Sequence, residues 1–282
     1  MLIQDGVETF NTLQYNLAIF TRMSNSLLNP DINPASFWIV NPNNKFRHNA
    51  CAGGTHFCFW LRPANVPDGP SWTRNYCPKK VPFDEFHNNT AHSMGWYGFW
   101  IFGQSNHASY DPHTGTRENG YCDGSRTQAR IGSFTTWNNK RGFEIVSGVN
   151  IRLENHTHLD HDFAGFEIFT AGGGPYGPDG PGIYNSIIVG HSQISDLTAG
   201  KENACTPRAI NLPVGGYTLQ DIEFYNFDRD CATLQVRLEE AQTTMSAVRV
   251  EGLVFDNSPN KVFNPAGETQ GINFYDADGS LT

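Results

Sequence analysis

The chain has 282 residues, 38% of them hydrophobic, which is enough to bury a large core, and only 17% charged. Its net charge of −9 argues against nucleic acid or an anionic membrane as partner, because both are usually met by a basic stripe. No apolar run is long enough for a membrane-spanning helix, and Met1-Leu2-Ile3-Gln4-Asp5 is not a signal peptide.

From the N-terminus, the first strong signal runs from Pro34 to Trp60. Phe37-Trp38-Ile39-Val40 reads as a short strand stopped by the turn cluster Asn41-Pro42-Asn43-Asn44, and Phe57 to Leu61 reads as a second strand. The pattern returns without gaps after 40 residues: Asn49 precedes Phe59 by ten positions, as Asn89 precedes Phe99, and Cys58-Phe59-Trp60-Leu61 becomes Gly98-Phe99-Trp100-Ile101. Echoes follow at Gly142-Phe143-Glu144-Ile145, Gly165-Phe166-Glu167-Ile168 and Gly182-Ile183-Tyr184, with a 23-residue step from Phe143 to Phe166. One extended coil of a parallel β-solenoid takes about 20–25 residues, so the 40-residue step is two coils or one coil with a long insertion. Farther on, the segments around Ile222, Leu234 and Val250 alternate apolar and polar residues as half-buried strands do. No stretch holds a helical period over three turns. The expectation is an all-β fold, a right-handed parallel β-helix forming one domain over 1–282, with loop excursions at about 62–86 and 103–130.

Stacking assigns positions. In a parallel coil equivalent residues lie about 4.8 Å apart, so Phe59, Phe99, Phe57, Tyr97 and Ile101 are expected inside. Asn49 and Asn89 suit turns, where asparagine tolerates left-handed backbone. Trp60 and Trp100 have the opposite parity and are expected to face outwards onto loops or solvent. With Trp137 they are candidates for stacking on sugar rings; packing under loops is the plainer reading.

The six cysteines form no C-x-x-C pair. Their even, scattered spacing fits disulfides in a secreted protein; small buried thiols in a cytosolic one are the other reading. Pairing Cys77 with Cys122 would tie the two excursions together, and Cys205 with Cys231 is the second pairing assumed, although six cysteines allow fifteen connectivities. The sequons beginning at Asn88 and Asn155 are candidate glycosylation sites and weigh towards secretion.

The densest set of metal-competent side chains is Glu154-Asn155-His156-Thr157-His158-Leu159-Asp160-His161-Asp162. On a strand, His156, His158 and Asp160 would share one face and suit a divalent ion such as zinc; a solvated turn between coils is the plainer reading. No other cofactor is expected. Polysaccharide-cleaving β-helices need an acid and a second carboxylate in one groove, roughly 5–9.5 Å apart. Asp160, Asp162 and His191 are the candidates, with Asp221, Glu223, Asp228 and Asp230 behind them. Gly190-His191-Ser192 resembles the G-H-G element of polygalacturonases, but no N-T-D or R-I-K run accompanies it.

Tyr15-Asn16-Leu17, Ser26-Leu27-Leu28-Asn29-Pro30-Asp31, Pro34-Ala35-Ser36-Phe37-Trp38-Ile39-Val40-Asn41-Pro42-Asn43-Asn44 and Asn49-Ala50-Cys51-Ala52-Gly53 together resemble the β-helix region of the fibrocystin-L family, shared with cell-surface and secreted hyaluronan-degrading proteins. The resemblance extends to Asp276-Ala277-Asp278-Gly279-Ser280-Leu281-Thr282, similar to a D-x-D-G-S segment of the family, inside which the chain stops. One departure is Cys58, where glycine is expected. The resemblance implies a β-helix fragment of a larger extracellular protein, though neither a G8 domain nor a transmembrane tail lies within these residues. Two functions follow: a surface scaffold for adhesion or assembly, or a hyaluronan-depolymerising enzyme. The scaffold is preferred, because no complete acid–base set emerges. Expected partners are other domains of the same long chain, polysaccharide or other surface proteins, and not nucleic acid.

Overall fold

A computed structural model describes residues 2–3 (backbone only), 5–24, 33–103, 109–112, 124, 126–172, 177–213, 216–236, 247–264 and 272–282. Cys122, most of the 103–130 excursion and the segment Ser26–Asp31 lie outside them.

The chain winds as a parallel β-helix with three sheets. The first sheet stacks nine strands: β1 (Leu2–Ile3), β4 (Ala35–Ile39), β7 (Phe57–Leu61), β10 (Tyr97–Ile101), β12 (Arg141–Ile145), β14 (Ala164–Ile168), β16 (Arg208–Asn211), β18 (Ala232–Gln235) and β20 (Val262–Phe263). The second stacks nine more: β3 (Leu17–Thr21), β6 (Ala50–Gly54), β9 (Asn89–Met94), β11 (Ala129–Trp137), β13 (Ile151–Leu159), β15 (Gly182–Val189), β17 (Tyr217–Tyr225), β19 (Val248–Asp256) and β21 (Phe274–Asp276). A short third sheet holds β2 (Thr12–Gln14), β5 (Lys45–Arg47) and β8 (Glu85–His87). Every pairing is parallel. The single α-helix among the described residues, α1 (Gln193–Leu197), lies in a loop.

The register follows the repeats. Phe37, Phe59, Phe99, Phe143 and Phe166 pair in sequence along the first sheet and form one inward column. The rings of Phe59 and Phe99 stack at 5.9 Å, and those of Phe99 and Phe143 at 4.6 Å. Because β7 pairs directly with β10, the 40-residue step is one coil carrying the 62–86 excursion. Gly182-Ile183-Tyr184, expected to continue the same column, belongs to the second sheet instead. Its coil reaches the first sheet at Arg208–Asn211.

Two columns of left-handed residues, five positions apart, bend the coils within and at the ends of the second-sheet strands. They are Tyr15 and Phe20, His48 and Gly53, Asn88 and Ser93, Ser133 and Asn138, Asn155 and Asp160, Asp221 and Asn226, and Gly252 and Asn257. Asn49 and Asn89 therefore follow the bend rather than making it. Their amides point inwards and form a ladder: Asn49 donates from N and Nδ2 to Asn89 Oδ1, both at 3.0 Å, and Asn89 Nδ2 donates to the Phe46 carbonyl at 2.8 Å. Each buried amide thus satisfies backbone of a neighbouring coil.

Two parity assignments are corrected. Phe57 and Tyr97 do not point into the coil interior; they stack on Trp100 on the outer face of the first sheet, where Phe57 is still fully buried, because alternation breaks at Cys58, which turns inwards and bonds to Cys51. Trp60 does lie on the outer face but is fully buried, packed between Trp38 and Trp100 with its Nε1–H donated to the Phe102 carbonyl at 3.0 Å.

Candidate functional site

At the second edge of the second sheet, β13 ends in Asp160-His161-Asp162. One coil later β15 ends in Gly190, and a loop runs from there to Pro207 before β16. The left-handed Asp160 turns its carboxylate towards this loop, accepting from Ser192 N at 2.7 Å and Ser192 Oγ at 2.6 Å. Ser192 in turn caps α1. Asp162 binds Lys201 at 3.0 Å, and Lys201 also donates to Asn138 at 2.7 Å. The Cys205–Cys231 disulfide pins the loop's far end to the next coil. Between loop and strand ends lies a cavity of about 240 Å³, lined by Asp160, His161, Asp162, Ser195, Lys201 and Thr206 among others.

His191 faces away from this cavity. Its Nε2 meets Asp228 at 2.8 Å and its Nδ1 lies 3.5 Å from Asp196, which also pairs with Arg229 at 2.7 Å. The hydrogen bond from His191 holds Asp228 below the usual carboxylate range, and Arg229 does the same for Asp196. Of the three catalytic candidates, Asp160 and Asp162 line one cavity, whereas His191 serves a separate ion-pair network. Both oxygens of Asp160 accept a hydrogen bond from Ser192, so it clamps the loop.

The proposed metal face is reversed. His156 and His158 continue the inward columns of Phe134 and Thr136, and both are buried. His156 Nε2–H donates to the Ile131 carbonyl at 3.0 Å, and the second contact, His158 Nε2 to His156 Nδ1, is 3.5 Å. Asp160 lies beyond the bend on the outside, so the three cannot converge on one ion. No cluster of three His, Cys, Asp or Glu side chains suited to a metal occurs among the described residues. Burial pushes His156 down to about 4 and His161 to about 3, and lowers His158 as well, leaving all three neutral at pH 7.

Two of the aromatic candidates, Trp60 and Trp100, offer no open ring face to a sugar, and the third, Trp137, is half-buried with one face against a histidine. Trp60 is fully buried, Trp100 lies between Phe57 at 4.5 Å and Phe102 at 4.7 Å, and Trp137 stacks on His92 at 4.4 Å. Cys77 is disulfide-bonded, but its assumed partner Cys122 lies outside the described residues. Asn88 and Asn155 are exposed.

A carboxyl pair was missed from the sequence. Glu144 and Glu167 pair in register on the outer face of the first sheet, beyond the tryptophan column, and are 4% and 6% exposed. Trp100 Nε1–H donates to Glu144 at 2.8 Å, and Arg141 contacts both carboxyls. Burial, with Glu167 hydrogen-bonded alongside, pushes Glu144 up to about 8. At neutral pH Glu144 is therefore largely protonated and can donate to the Glu167 carboxyl. The signal was present as the repeated G-F-E-I, whose register stacks the two glutamates.

Comparison with known proteins agrees with this architecture. The CEMIP beta-helix family matches residues 1–99. Human fibrocystin-L is 41% identical over 99% of this chain, which corresponds to 6% of that protein. The mouse cell migration-inducing and hyaluronan-binding protein is 27% identical over 83% of the chain and 19% of its own length. Human cell surface hyaluronidase CEMIP2 is 24% identical over 78% of the chain and 20% of its own. The chain spans a fifth or less of the length of these relatives.

Proposed function

The chain is a fibrocystin-L-like and CEMIP-like β-helix domain, and from that premise we propose that it serves as an extracellular scaffold. It would hold neighbouring domains of one long surface protein in fixed relation and mediate adhesion or assembly. Two disulfides among the described residues fit an oxidising compartment. The observation that carries the reading is the commitment of the candidate catalytic groups to structural bonds: Asp160 to Ser192, Asp162 to Lys201 and His191 to Asp228. The test is clustering of beads coated with the full-length protein. Clustering is expected, and it should be lost when the coils are deleted; beads that stay dispersed would count against adhesion.

A second reading, depolymerisation of hyaluronan or a similar polysaccharide, is favoured by one observation, the buried Glu144 carboxyl beside Glu167. Glycosidases use such acid and base partners, but they need an open cleft, and Arg141 and Trp100 close over this pair. Incubating high-molecular-weight hyaluronan with the full-length protein separates the two. A scaffold leaves polymer length unchanged, whereas cleavage abolished by Glu144→Gln or Asp162→Asn would replace the scaffold with an enzyme.

A further inference from the structure

The outer face of the second sheet carries a narrow uncharged strip. Its first column is Thr90, Thr135, Thr157 and Ile187, and its second is His92, Trp137, Leu159 and Val189, each set in register on consecutive coils. Apart from the exposed Ile187 these residues are half-buried, and none is Lys, Arg, Asp or Glu. Desolvation lowers the His92 pKa, so the strip has no charge at neutral pH. With columns about 7 Å apart and coils about 4.8 Å apart, four coils give a surface about 14 Å long. At about 7 Å by 14 Å, an area on the order of 100 Å², it is far below the roughly 800 Å² per partner of a stable protein interface. A slim, uncharged, polar-and-apolar occupant fits it.

The chain can supply that occupant. Thr90 and Thr157 are the third residues of the two sequons, so Asn88 and Asn155 stand two positions earlier, at the strip's edge. Both asparagines occupy the left-handed bend, with φ of 50° and 58°, and both are exposed. They lie two coils apart on one edge, about 10 Å along the axis. Neither side-chain amide is engaged by a hydrogen bond among the described residues. Asn185 occupies the same bend one coil beyond Asn155 and is equally exposed, but Ile187 stands where the sequon needs Ser or Thr.

We propose that Asn88 and Asn155 carry N-linked glycans whose first sugars lie across this strip. The proposal rests on the extracellular reading above. The donor is a lipid-pyrophosphate-linked oligosaccharide. The Asn Nδ2 bonds to the sugar C1 and the C1–O bond to pyrophosphate breaks; the lipid pyrophosphate leaves with the bonding pair, and the amide gives up one proton.

The test expresses the full chain through a eukaryotic secretory pathway and maps its glycopeptides by mass spectrometry. Occupancy at Asn88 and Asn155 with a bare Asn185 is expected, and Ile187→Thr should add a glycan at Asn185. Enzymatic removal of the glycans from the folded protein should raise binding of an apolar dye several-fold. The variants Thr90→Val and Thr157→Val, which keep the bend asparagines, should do the same. Secreted, disulfide-bonded protein with both asparagines bare overturns the inference alone. Occupied sites whose trimming leaves dye binding unchanged overturn the covering of the strip. Cytosolic retention with free thiols overturns the extracellular reading as well.

Discussion

Cys51 and Cys58 are bridged across the corner between the second and first sheets, at two positions that recur in every coil. The Cys51 position continues as Ala91, Thr136, His158 and Ile188, and the Cys58 position as Gly98, Gly142, Gly165 and Ala209. The two columns compete for the same space. A Cβ on Gly98 would stand 2.6 Å from Thr136 Oγ1, and one on Gly142 would stand 2.2 Å from His158 Nδ1. Each glycine lies beneath a larger residue of the following coil, whereas the residue following Cys51 in its column is only Ala91. That leaves room for a side chain at position 58, and the departure from glycine is explained.

Replacing the bridge by the pair used one coil later, Cys51→Ala with Cys58→Gly, should therefore leave the packing intact and remove only the cross-link. Closing so short a loop gives a loss of about 2 kcal/mol in the chain-entropy account. Denaturant unfolding of parent and double variant under identical oxidising conditions measures it. A loss much above that figure would mean that the sulfurs also fill core volume.

The β-helix was legible because phenylalanine and glycine recur at fixed positions in the first sheet, where register makes repetition visible. Parity alone failed at Phe57 and at Asp160, for one physical reason. Each coil has left-handed bends and breaks in alternation, so counting by twos across them inverts inside and outside. Trp60 reads as outward and is outward, yet aromatic neighbours on the outer face bury it completely. The loop between Gly190 and Pro207 brings Ser192 onto Asp160 from 32 residues away, a meeting that no local pattern announces. The Glu144–Glu167 pair was written in the repeat, but it becomes chemistry only when the coil height places the two carboxyls side by side.

Asn89→Ala should destabilise the protein by about 2–4 kcal/mol, because it strips partners from the Asn49 amides and from the Phe46 carbonyl, all buried. Asn16→Ala, at the ladder's half-buried end, removes one side-chain donor to Asn49 Oδ1 and leaves the backbone donor of residue 16 in place, and should cost well under half as much. Equal losses from the two variants, read from denaturation midpoints, would show that the ladder does not depend on burial.

Acid should unfold the protein through its central coil. His156, His158 and His161 are buried and neutral, with folded pKa values depressed below the ordinary 6.5. The sign follows: protons prefer the unfolded chain, so their contribution is complete above about pH 6.5 and is lost as pH falls towards 4. Each such histidine gives a slope of roughly 1.4 kcal/mol per pH unit in that window. The nearest cation, Lys201, strengthens the trend by opposing a charge on His161. His158→Thr, the residue one coil earlier in the same column, should reduce the slope by about a third, as removing one of three equal terms does. Denaturation at pH 7, 6 and 5 reads it directly; a flat profile in the parent would remove the histidines from the acid response.

The opposite limb belongs to Glu144. Its folded pKa is raised from 4.5 to about 8, chiefly by burial and next by Glu167. Here the protonated form favours folding, so the stabilisation is full below pH 4.5 and is lost as pH rises through 8. Glu144→Gln keeps an oxygen to accept from Trp100 and gains an amide that can donate to Glu167, the role the Glu144 proton plays. The variant should match the parent near pH 5 and exceed it at pH 8.5, with the decline between them largely removed. Glu167→Gln tests the neighbour's part in the shift: it removes the like charge beside Glu144 and should make the decline shallower, while burial keeps part of it. If both variants track the parent's curve across pH 5 to 8.5, the raised Glu144 carboxyl is not the source of the decline. The depolymerase reading would then lose the one feature that speaks for it.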